Sequence, residues 1–204
     1  MIHTWIGDVT SLLDEETYKY YYEKVPAFRK EKADKIHFQE DKALSIGVWI
    51  LLEMMRETFS FTENAVYNLS HSGKYAMCSV DDGEDLDVKV GCDVEQIRKP
   101  HSDMAKRFFC ENECRYIAED PQKFYRFWVL KESFMKATRR GMKLGLNTFA
   151  FEFDEDGVPY LVKQPDDIKE TFYFKEYNVE GLPYRMAVCS TKNEFAETVK
   201  MIQL

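Results

Sequence analysis

Residues 88–95 read Val-Lys-Val-Gly-Cys-Asp-Val-Glu, and this stretch carries the clearest strand signal of the chain. Every second residue is apolar: Val88, Val90, Cys92 and Val94. This period of two is typical of a strand that buries one face. The same period places Asp93 and Glu95 on the other face, with Cα atoms about 6–7 Å apart. The stretch therefore predicts a strand that presents two neighbouring carboxylates.

Two carboxylates at that separation repel each other unless a cation lies between them or both are fully solvated. Mg²⁺ binds oxygen ligands and suits such a pair, with water and phosphate oxygens completing its shell. Gly91 has no side chain beside Asp93, so we expect it to let a ligand approach. The alternative is that Asp93 and Glu95 are simply the polar face of a one-sided sheet.

Hydrophobic periodicity on both sides of this strand predicts blocks of helices and strands. In the first block we predict a helix that ends before Pro26, a second helix over about 40–59 and a strand at 75–80. The polar segment 96–102 precedes a second block, with helices at 105–109, 111–118 and 122–139 and strands at 149–153, 158–162, 172–177 and 184–190. Two such blocks indicate an α+β fold of two similar subdomains, residues 1–98 and 99–204.

Composition excludes several classes of protein. The 204 residues are 45% hydrophobic and 15% aromatic, with 9 Gly and 6 Pro, which excludes a disordered or low-complexity chain. No apolar run approaches the roughly 20 residues of a membrane helix, and the first residues do not resemble a signal peptide. Five cysteines, an odd number, favour reduced thiols over a disulfide framework. We therefore expect a soluble cytoplasmic protein with no membrane partner.

Charge is distributed unevenly along the chain. Residues 98–143 hold twelve basic and six acidic residues, a net charge of +6, whereas the remainder holds 16 basic and 30 acidic residues, a net charge of −14. A local positive segment suits a compact polyanion or a small acidic partner, although an ordinary solvated helix face gives the same count. It does not suit a nucleic-acid backbone, which needs a broad basic surface.

Residues 124–136 predict an amphipathic helix. Phe127, Leu130 and Phe134 form its apolar stripe. Glu132 and Lys136, four residues apart, lie on the opposite side. In the simplest interpretation they form a surface ion pair. A carboxylate beside an ammonium group can also bind a metal ion or accept a proton while the cation neutralises a phosphate.

A third motif lies at residues 68–73, which read Asn-Leu-Ser-His-Ser-Gly. We expect a turn before the strand at 75–80, in which Ser70, His71 and backbone N–H groups could contact a phosphate. A polar turn without a ligand is the simpler interpretation. The motif is weak when taken alone.

Taken together and in this order, the three motifs resemble the 4′-phosphopantetheinyl transferase superfamily. The matching strings are NLSHSGKYAMCSV (68–80), VGCDVEQIRKP (90–100) and FWVLKESFMKATRRGMKLGLNTFAFEF (127–153), with weaker matches in FRKEKADKIHFQED (28–41) and AKRFFCENECRYI (105–117). The length is similar to that of the larger, surfactin-synthetase-activating type. This type implies a monomer of two subdomains related by a pseudo-twofold axis, with the active site at their interface.

The resemblance implies an enzyme that transfers the phosphopantetheine arm of coenzyme A (CoA) to a serine of an acyl or peptidyl carrier protein and releases 3′,5′-ADP. It implies that Mg²⁺ is bound by Asp93, Glu95 and Glu132. Glu132 would also help to deprotonate the serine, and Lys136 would neutralise or protonate the leaving phosphate. The implied CoA contacts are Arg29, Lys32, Ser70, His71 and Lys136, with His71 at the 3′-phosphate.

Two departures from the family pattern concern the CoA contacts. Many members of this size carry a Gly-Lys-Pro segment shortly before the Ser-His motif, but residues 60–67 contain no lysine. An arginine that is frequent in the preceding helix corresponds to Leu44 here. Two alternatives therefore stay open. One is a catalytically impaired member that binds CoA or a carrier protein as an accessory module, and the other is a pyrophosphohydrolase that uses water in place of serine.

Overall fold

The computed structural model describes residues 1–99 and 102–204, and in these residues the chain forms six α-helices and nine β-strands. The helices are α1 (Glu15–Lys24), α2 (Ala27–Asp34), α3 (Gln39–Phe59), α4 (Ser102–Phe108), α5 (Glu111–Glu119) and α6 (Lys123–Ala137). The strands are β1 (Ile2–Asp8), β2 (Tyr67–Ser72), β3 (Tyr75–Asp81), β4 (Val90–Gln96), β5 (Ala150–Phe153), β6 (Pro159–Lys163), β7 (Tyr173–Tyr177), β8 (Tyr184–Ser190) and β9 (Lys200–Gln203). Pro100, in the polar segment between the two predicted blocks, lies outside the described residues.

Local sequence explains where the first helices begin and end. The Asp14 carboxylate accepts a hydrogen bond from the backbone N–H of Thr17 and so caps α1, whose first turn also holds two acidic residues. Pro26 separates α1 from α2 and is the N-cap residue of α2. After α3, Ser60 adopts the left-handed conformation typical of helix C-termini.

The strands form three sheets. The first has the order β2-β3-β1-β9, the second has the order β4-β8-β7, and the third is the hairpin of β5 and β6. Neighbouring strands are antiparallel, apart from β1 and β9, which run parallel. Strand β4 pairs with β8, and β9 pairs with β1. Each of the two larger sheets therefore draws strands from both sides of the boundary that we predict at residue 98.

Helix α6 packs directly against strand β4 at Gly91. A Cβ atom on Gly91 would lie 2.0 Å from the backbone oxygen of Ser133 and 2.4 Å from the backbone nitrogen of Ala137, both of which belong to α6. The expectation that Gly91 leaves space for a ligand is therefore wrong, because the helix fills that space. The glycine instead lets α6 approach closely enough for Lys136 to form hydrogen bonds with β4.

Three clusters of buried apolar side chains stabilise the fold. The first surrounds α3 and includes Leu51, and the second surrounds α6 and includes Phe127 and Phe134. The third lies between the two larger sheets and includes Met77 of β3 and Val94 of β4. Because burial of one such side chain contributes roughly 1.5–3 kcal/mol, the third cluster holds the two sheets together.

Most elements that periodicity predicts are confirmed. The helices at 40–59 and 122–139 correspond to α3 and α6, and the four predicted C-terminal strands correspond to β5 to β8. Residues 68–72 lie in β2, which pairs with β3, so the predicted turn is wrong for these residues. Periodicity does not predict β1 and β9. The α+β class is confirmed, whereas the two similar subdomains remain a prediction.

All five cysteines are free thiols, which confirms the expectation from their odd number. Cys92 is fully buried in β4, and burial raises the pKa of its thiol to about 11, so it stays protonated. None of the helices in residues 1–99 and 102–204 combines the length and the apolar composition that a membrane span requires.

Candidate active site

Strands β2 and β4 and helix α6 meet at a cluster of hydrogen-bonded polar side chains. Lys136 Nζ donates hydrogen bonds to Asp93 Oδ1 at 2.8 Å and to Ser70 Oγ at 2.9 Å. It also donates to the backbone oxygen of Cys92 at 3.0 Å, and Ser70 Oγ donates to Asp93 Oδ1 at 2.8 Å. The fold thus brings together three predicted site residues that are far apart in sequence.

Asp93 is deeply buried, with only 6% of its side chain exposed. Burial raises the pKa of Asp93, and the ammonium group of Lys136 opposes that shift. The second carboxylate oxygen, Oδ2, is buried and has no hydrogen-bond partner among the residues that the structure describes. A buried carboxylate oxygen without a partner is costly, so a cation bound to Oδ2 fits this position.

Glu95 and Glu132 lie in the same neighbourhood as Asp93 and are half-buried. Ser72 Oγ donates a hydrogen bond to Glu95 Oε2 at 2.7 Å. Burial and the negative charge of Asp93 raise the pKa of both glutamates, although the hydrogen bond from Ser72 opposes the shift at Glu95. Glu132 also interacts electrostatically with Glu95. The three predicted metal-binding carboxylates therefore interact with one another.

These carboxylates do not form a closed metal-binding set as they stand. In residues 1–99 and 102–204, no group of three or more His, Cys, Asp or Glu side chains is arranged to hold a metal ion. The unpartnered oxygen of Asp93 nevertheless offers one ligand, and the half-buried carboxylates of Glu95 and Glu132 offer further oxygen atoms in the same neighbourhood. Oxygen donors of this kind are the ligands that Mg²⁺ prefers, so the residues present fit this cation.

The other residues expected to contact CoA do not belong to the hydrogen-bonded cluster of Ser70, Asp93 and Lys136. His71 is exposed on β2, yet the protein around its ring removes hydration, which lowers its pKa together with the charges of Lys136 and Lys32. Lys32 is exposed on α2 and thus lies within electrostatic reach of His71. Arg29, by contrast, is only 6% exposed, and its guanidinium lies 5.0 Å from the centre of the Trp49 ring. Its predicted contact with CoA remains a prediction.

Much of the positive charge in residues 98–143 is already paired. Lys131 and Glu113 form an ion pair of 2.9 Å with no exposed side-chain surface. Arg126 donates to both carboxylate oxygens of Glu176, and Lys136 is committed to the cluster described above. The positive surface open to an anionic ligand is therefore smaller than the sequence count of +6 suggests.

An open groove of about 390 Å³ adjoins one of the carboxylates, that of Glu95. Its lining residues are Ser72, Glu95, Gln96, Arg98, Met104, Phe124, Tyr125 and Trp128. A concave, partly aromatic surface beside Glu95 gives a bound molecule room to approach the acidic side chains. This groove cannot be predicted from sequence, because its lining comes from β2, β4, α4 and α6 and is assembled only by the fold.

Ser72 is a second feature of the site that was not predicted from sequence. It contacts Glu95 in the same way that Ser70 contacts Asp93, through a hydroxyl that donates to a carboxylate oxygen. The signal was present in the sequence, because both the serines and the acids are spaced by two residues. That spacing gains meaning only when β2 and β4 are known to lie side by side.

Comparison with known proteins finds one matching family model and several similar proteins. A family model described as the 4′-phosphopantetheinyl transferase superfamily matches residues 89–189. The chain is 33% identical over 144 residues to 4′-phosphopantetheinyl transferase Sfp of Bacillus subtilis, an alignment that covers 68% of this chain and 61% of that protein. It is also 33% identical over 141 residues to 4′-phosphopantetheinyl transferase psf-1 of Bacillus pumilus, with 67% and 57% covered. With 4′-phosphopantetheinyl transferase gsp of Aneurinibacillus migulanus it shares 30% identity over 129 residues, with 61% and 51% covered.

The chain spans about three fifths of the length of the curated relatives that it matches first. The region that matches the family model contains Asp93, Glu95, Glu132 and Lys136. These are the predicted metal-binding and catalytic residues, and in the fold they surround one cluster. From these matches, the chain belongs to the 4′-phosphopantetheinyl transferase superfamily.

Proposed function

We propose that this protein transfers the 4′-phosphopantetheine moiety of CoA to a serine hydroxyl of an acyl or peptidyl carrier protein and releases 3′,5′-ADP. The observation that carries the proposal is the hydrogen-bonded cluster of Ser70, Asp93 and Lys136, with Glu95 and Glu132 beside it. The relatives that share this sequence region are themselves named as 4′-phosphopantetheinyl transferases, which supports the same reaction here.

We assign Asp93, Glu95 and Glu132 to a Mg²⁺ ion, since a cation fits the buried oxygen of Asp93 that has no hydrogen-bond partner among the described residues. When bound, Mg²⁺ neutralises charge on the pyrophosphate of CoA. Lys136 adds a second positive charge beside the leaving phosphate. Burial disfavours the charged form of Lys136, but the charge of Asp93, its hydrogen bond with Lys136 and the charge of Glu132 act together against burial and raise the pKa, so Lys136 stays protonated.

In the proposed reaction the serine oxygen of the carrier attacks the phosphorus that bears the pantetheine arm. The bond from that phosphorus to the 3′,5′-ADP oxygen breaks, and the electron pair leaves with the nucleotide. We assign the role of proton acceptor for the serine to Glu132. We place the incoming serine in the groove beside Glu95.

We assign the 3′-phosphate of CoA to His71 and Lys32, which are exposed near each other. Ser70 and Arg29 are buried and support this surface from within. The chain is further proposed to act as a monomer of two subdomains related by a pseudo-twofold axis, residues 1–98 and 99–204. At the cluster, Lys136 of α6, from residues 99–204, contacts Ser70 and Asp93, from residues 1–98, which supports an active site at the interface of these subdomains.

The direct test is incubation of the protein with CoA, Mg²⁺ and several apo carrier proteins, followed by mass spectrometry of each carrier. We expect the added arm on at least one carrier. Glu132→Gln should lower the rate by roughly 10²–10⁴-fold, because it removes both the proton acceptor and a ligand charge. Glu119→Gln, at an exposed acid of α5, is the matched control and should retain the rate. Absence of modification on every carrier, together with absent CoA binding, contradicts the proposal.

A second candidate function is a catalytically impaired member that binds CoA or a carrier protein as an accessory module. It is favoured by Leu44, which is buried in the core at the position where the family resemblance implies an arginine, and by the absence of lysine in residues 60–67. Its signature is calorimetric binding without turnover that Glu132→Ala leaves unchanged. Release of 3′,5′-ADP from CoA without any carrier would instead identify a pyrophosphohydrolase.

A further inference from the structure

The facing edges of β2 and β4 are joined by side chains rather than by backbone pairing. Three alternate side chains of β2 each accept a hydrogen bond from a backbone N–H of β4: Asn68 Oδ1 from Cys92 at 3.0 Å, Ser70 Oγ from Val94 at 3.4 Å, and Ser72 Oγ from Gln96 at 3.1 Å. The step is two residues on both strands, so this side-chain ladder follows the strand period. It covers N–H groups at the edge of β4.

Both serines of the side-chain ladder also donate a hydrogen bond to an acid of β4. Ser70 donates to Asp93 at 2.8 Å, and Ser72 donates to Glu95 at 2.7 Å. In each case the acid directly precedes the residue whose backbone N–H donates to the same serine: Asp93 precedes Val94, and Glu95 precedes Gln96. Each hydroxyl therefore bridges one backbone N–H and one carboxylate oxygen, which fixes its orientation from two sides.

The two serines differ in how much else they contact. Ser70 also accepts a hydrogen bond from Lys136, so its hydroxyl is fully engaged within the cluster. Among the described residues, Ser72 Oγ bonds only to the Glu95 carboxylate and the Gln96 N–H. A change at Ser72 is thus the cleaner test of what the hydrogen bond to a carboxylate contributes.

We propose that Ser72 is a positioning residue for the divalent cation, because it holds the Glu95 carboxylate so that the second oxygen can meet the ion. The proposal rests on the proposed function and extends it, since it also assigns the Ser70 hydroxyl to Asp93 rather than to the nucleotide. Without its hydrogen bond, the half-buried Glu95 side chain regains rotational freedom that cation binding must remove. Partners of this kind typically change metal affinity by 10–100-fold.

The test measures Mn²⁺ binding in the presence of CoA, from the electron paramagnetic resonance signal of the free ion. We expect Ser72→Ala to raise the Kd for Mn²⁺ about tenfold and Ser72→Thr, which keeps the hydroxyl, to restore it. Asn68→Ala is the matched control, because it removes a hydrogen bond of the same side-chain ladder but no bond to a carboxylate. It should lower the Tm while leaving the Kd near the wild-type value.

Equal Mn²⁺ affinity in Ser72→Ala and the wild type overturns the proposal. So does a loss of Mn²⁺ affinity in Asn68→Ala that is as large as the loss in Ser72→Ala. If Ser72→Ala does not fold by circular dichroism, Ser72→Cys takes its place under the same criteria, because its thiol is similar in size but donates weakly. Carrier modification by the wild type is measured in parallel. A wild type that binds Mn²⁺ but modifies no carrier contradicts the proposed function alone, whereas one that binds no Mn²⁺ overturns the positioning role.

Discussion

Lys131 illustrates what one residue contributes when its charge lies inside the protein. Its ammonium group donates to the backbone oxygens of Leu146 and Phe149, both at 2.7 Å, and pairs with Glu113. Burial lowers the pKa of Lys131, while the charge of Glu113 opposes that shift. The pair therefore ties helices α5 and α6 to the chain that enters β5, and it is not open to any ligand.

Replacement of one partner of the buried Lys131–Glu113 pair should lower the free energy of unfolding far more than replacement of one partner of an exposed ion pair. We expect Lys131→Met to lower the free energy of unfolding by about 3–5 kcal/mol, because it leaves the Glu113 carboxylate buried without its cation. Arg115→Met breaks the exposed pair with Glu111 and should cost less than about 1 kcal/mol. Urea unfolding of both variants checks this, and similar losses in the two would contradict the burial of the Lys131 pair.

His71 provides a residue-scale prediction about pH. Loss of hydration and the charges of Lys136 and Lys32 lower the pKa of free His71, while Asp41 and Asp93 oppose the shift. A bound phosphate raises the pKa of the imidazole, so binding takes up a proton between the free and bound values. The affinity for CoA should therefore fall as pH rises through this interval.

Calorimetry of CoA binding at several pH values, at each pH in buffers with different ionisation enthalpies, measures the affinity and that proton uptake. His71→Gln should reduce the number of protons taken up and weaken binding at the lower pH values. The same measurement with His37→Gln, at a histidine outside the predicted site, is the control. An unchanged proton count in His71→Gln would remove the imidazole from the proposed phosphate site.

At the scale of elements, the contact between α6 and β4 determines the site. At Gly91 the two backbones approach so closely that a Cβ atom would meet backbone atoms of α6, and Lys136 forms its hydrogen bond with Asp93 across this contact. A side chain at this point meets backbone atoms, which cannot rotate away. The helix must then shift as a body, and Glu132 and Lys136 shift with it.

We expect Gly91→Ala to cost about 3 kcal/mol of stability and to abolish carrier modification in the fraction that folds. Gly181→Ala is the comparison, because Gly181 has a φ of 75° with open space around its missing Cβ. That change should cost about 1–2 kcal/mol through backbone strain alone and should leave the reaction intact. Retained activity in Gly91→Ala would mean that α6 tolerates the displacement.

Several elements are predictable from sequence because their signals are local. The apolar stripes of α3 and α6 and the alternating Phe149, Phe151 and Phe153 at β5 are complete within the segments themselves. Strand β1 is buried along most of its length, so no alternation marks it, and β9 is defined by its pairing with β1 far away in the chain. The acids of the site are visible as motifs, whereas the serines that hold them depend on the packing of one sheet beside another.

At the scale of the molecule, the cluster between the two larger sheets couples the two halves. Side chains of β1 and β3 pack there against β4 and β8, and the side-chain ladder of β2 closes the same junction. The two sheets also exchange strands across residue 98. We therefore expect the whole chain to unfold as one cooperative unit rather than as two.

The three tryptophans allow a direct check of this cooperativity. Trp5 and Trp49 belong to the cluster around α3, and Trp128 packs against the cluster around α6. In Trp128→Phe, tryptophan fluorescence reports the cluster around α3. In the double variant Trp5→Phe/Trp49→Phe, it reports the cluster around α6. Within each variant, the urea midpoints from fluorescence and from circular dichroism should coincide. Separate midpoints would show that the halves unfold independently.

The alternation of side chains along β2, which faces β4, also limits how the geometry of the proposed cation site can change. Because side chains change face at every residue, a slide of one position would turn His71 toward Asp93 and send both serines outward. The smallest slide that preserves the pattern is two residues, about 6.6 Å, far more than a cation site tolerates. The distance between a carboxylate and the ion can therefore change through side-chain length, for example by exchange of aspartate for glutamate. A change in the register of β2 against β4 is not a usable route, either in natural variants or in engineered ones.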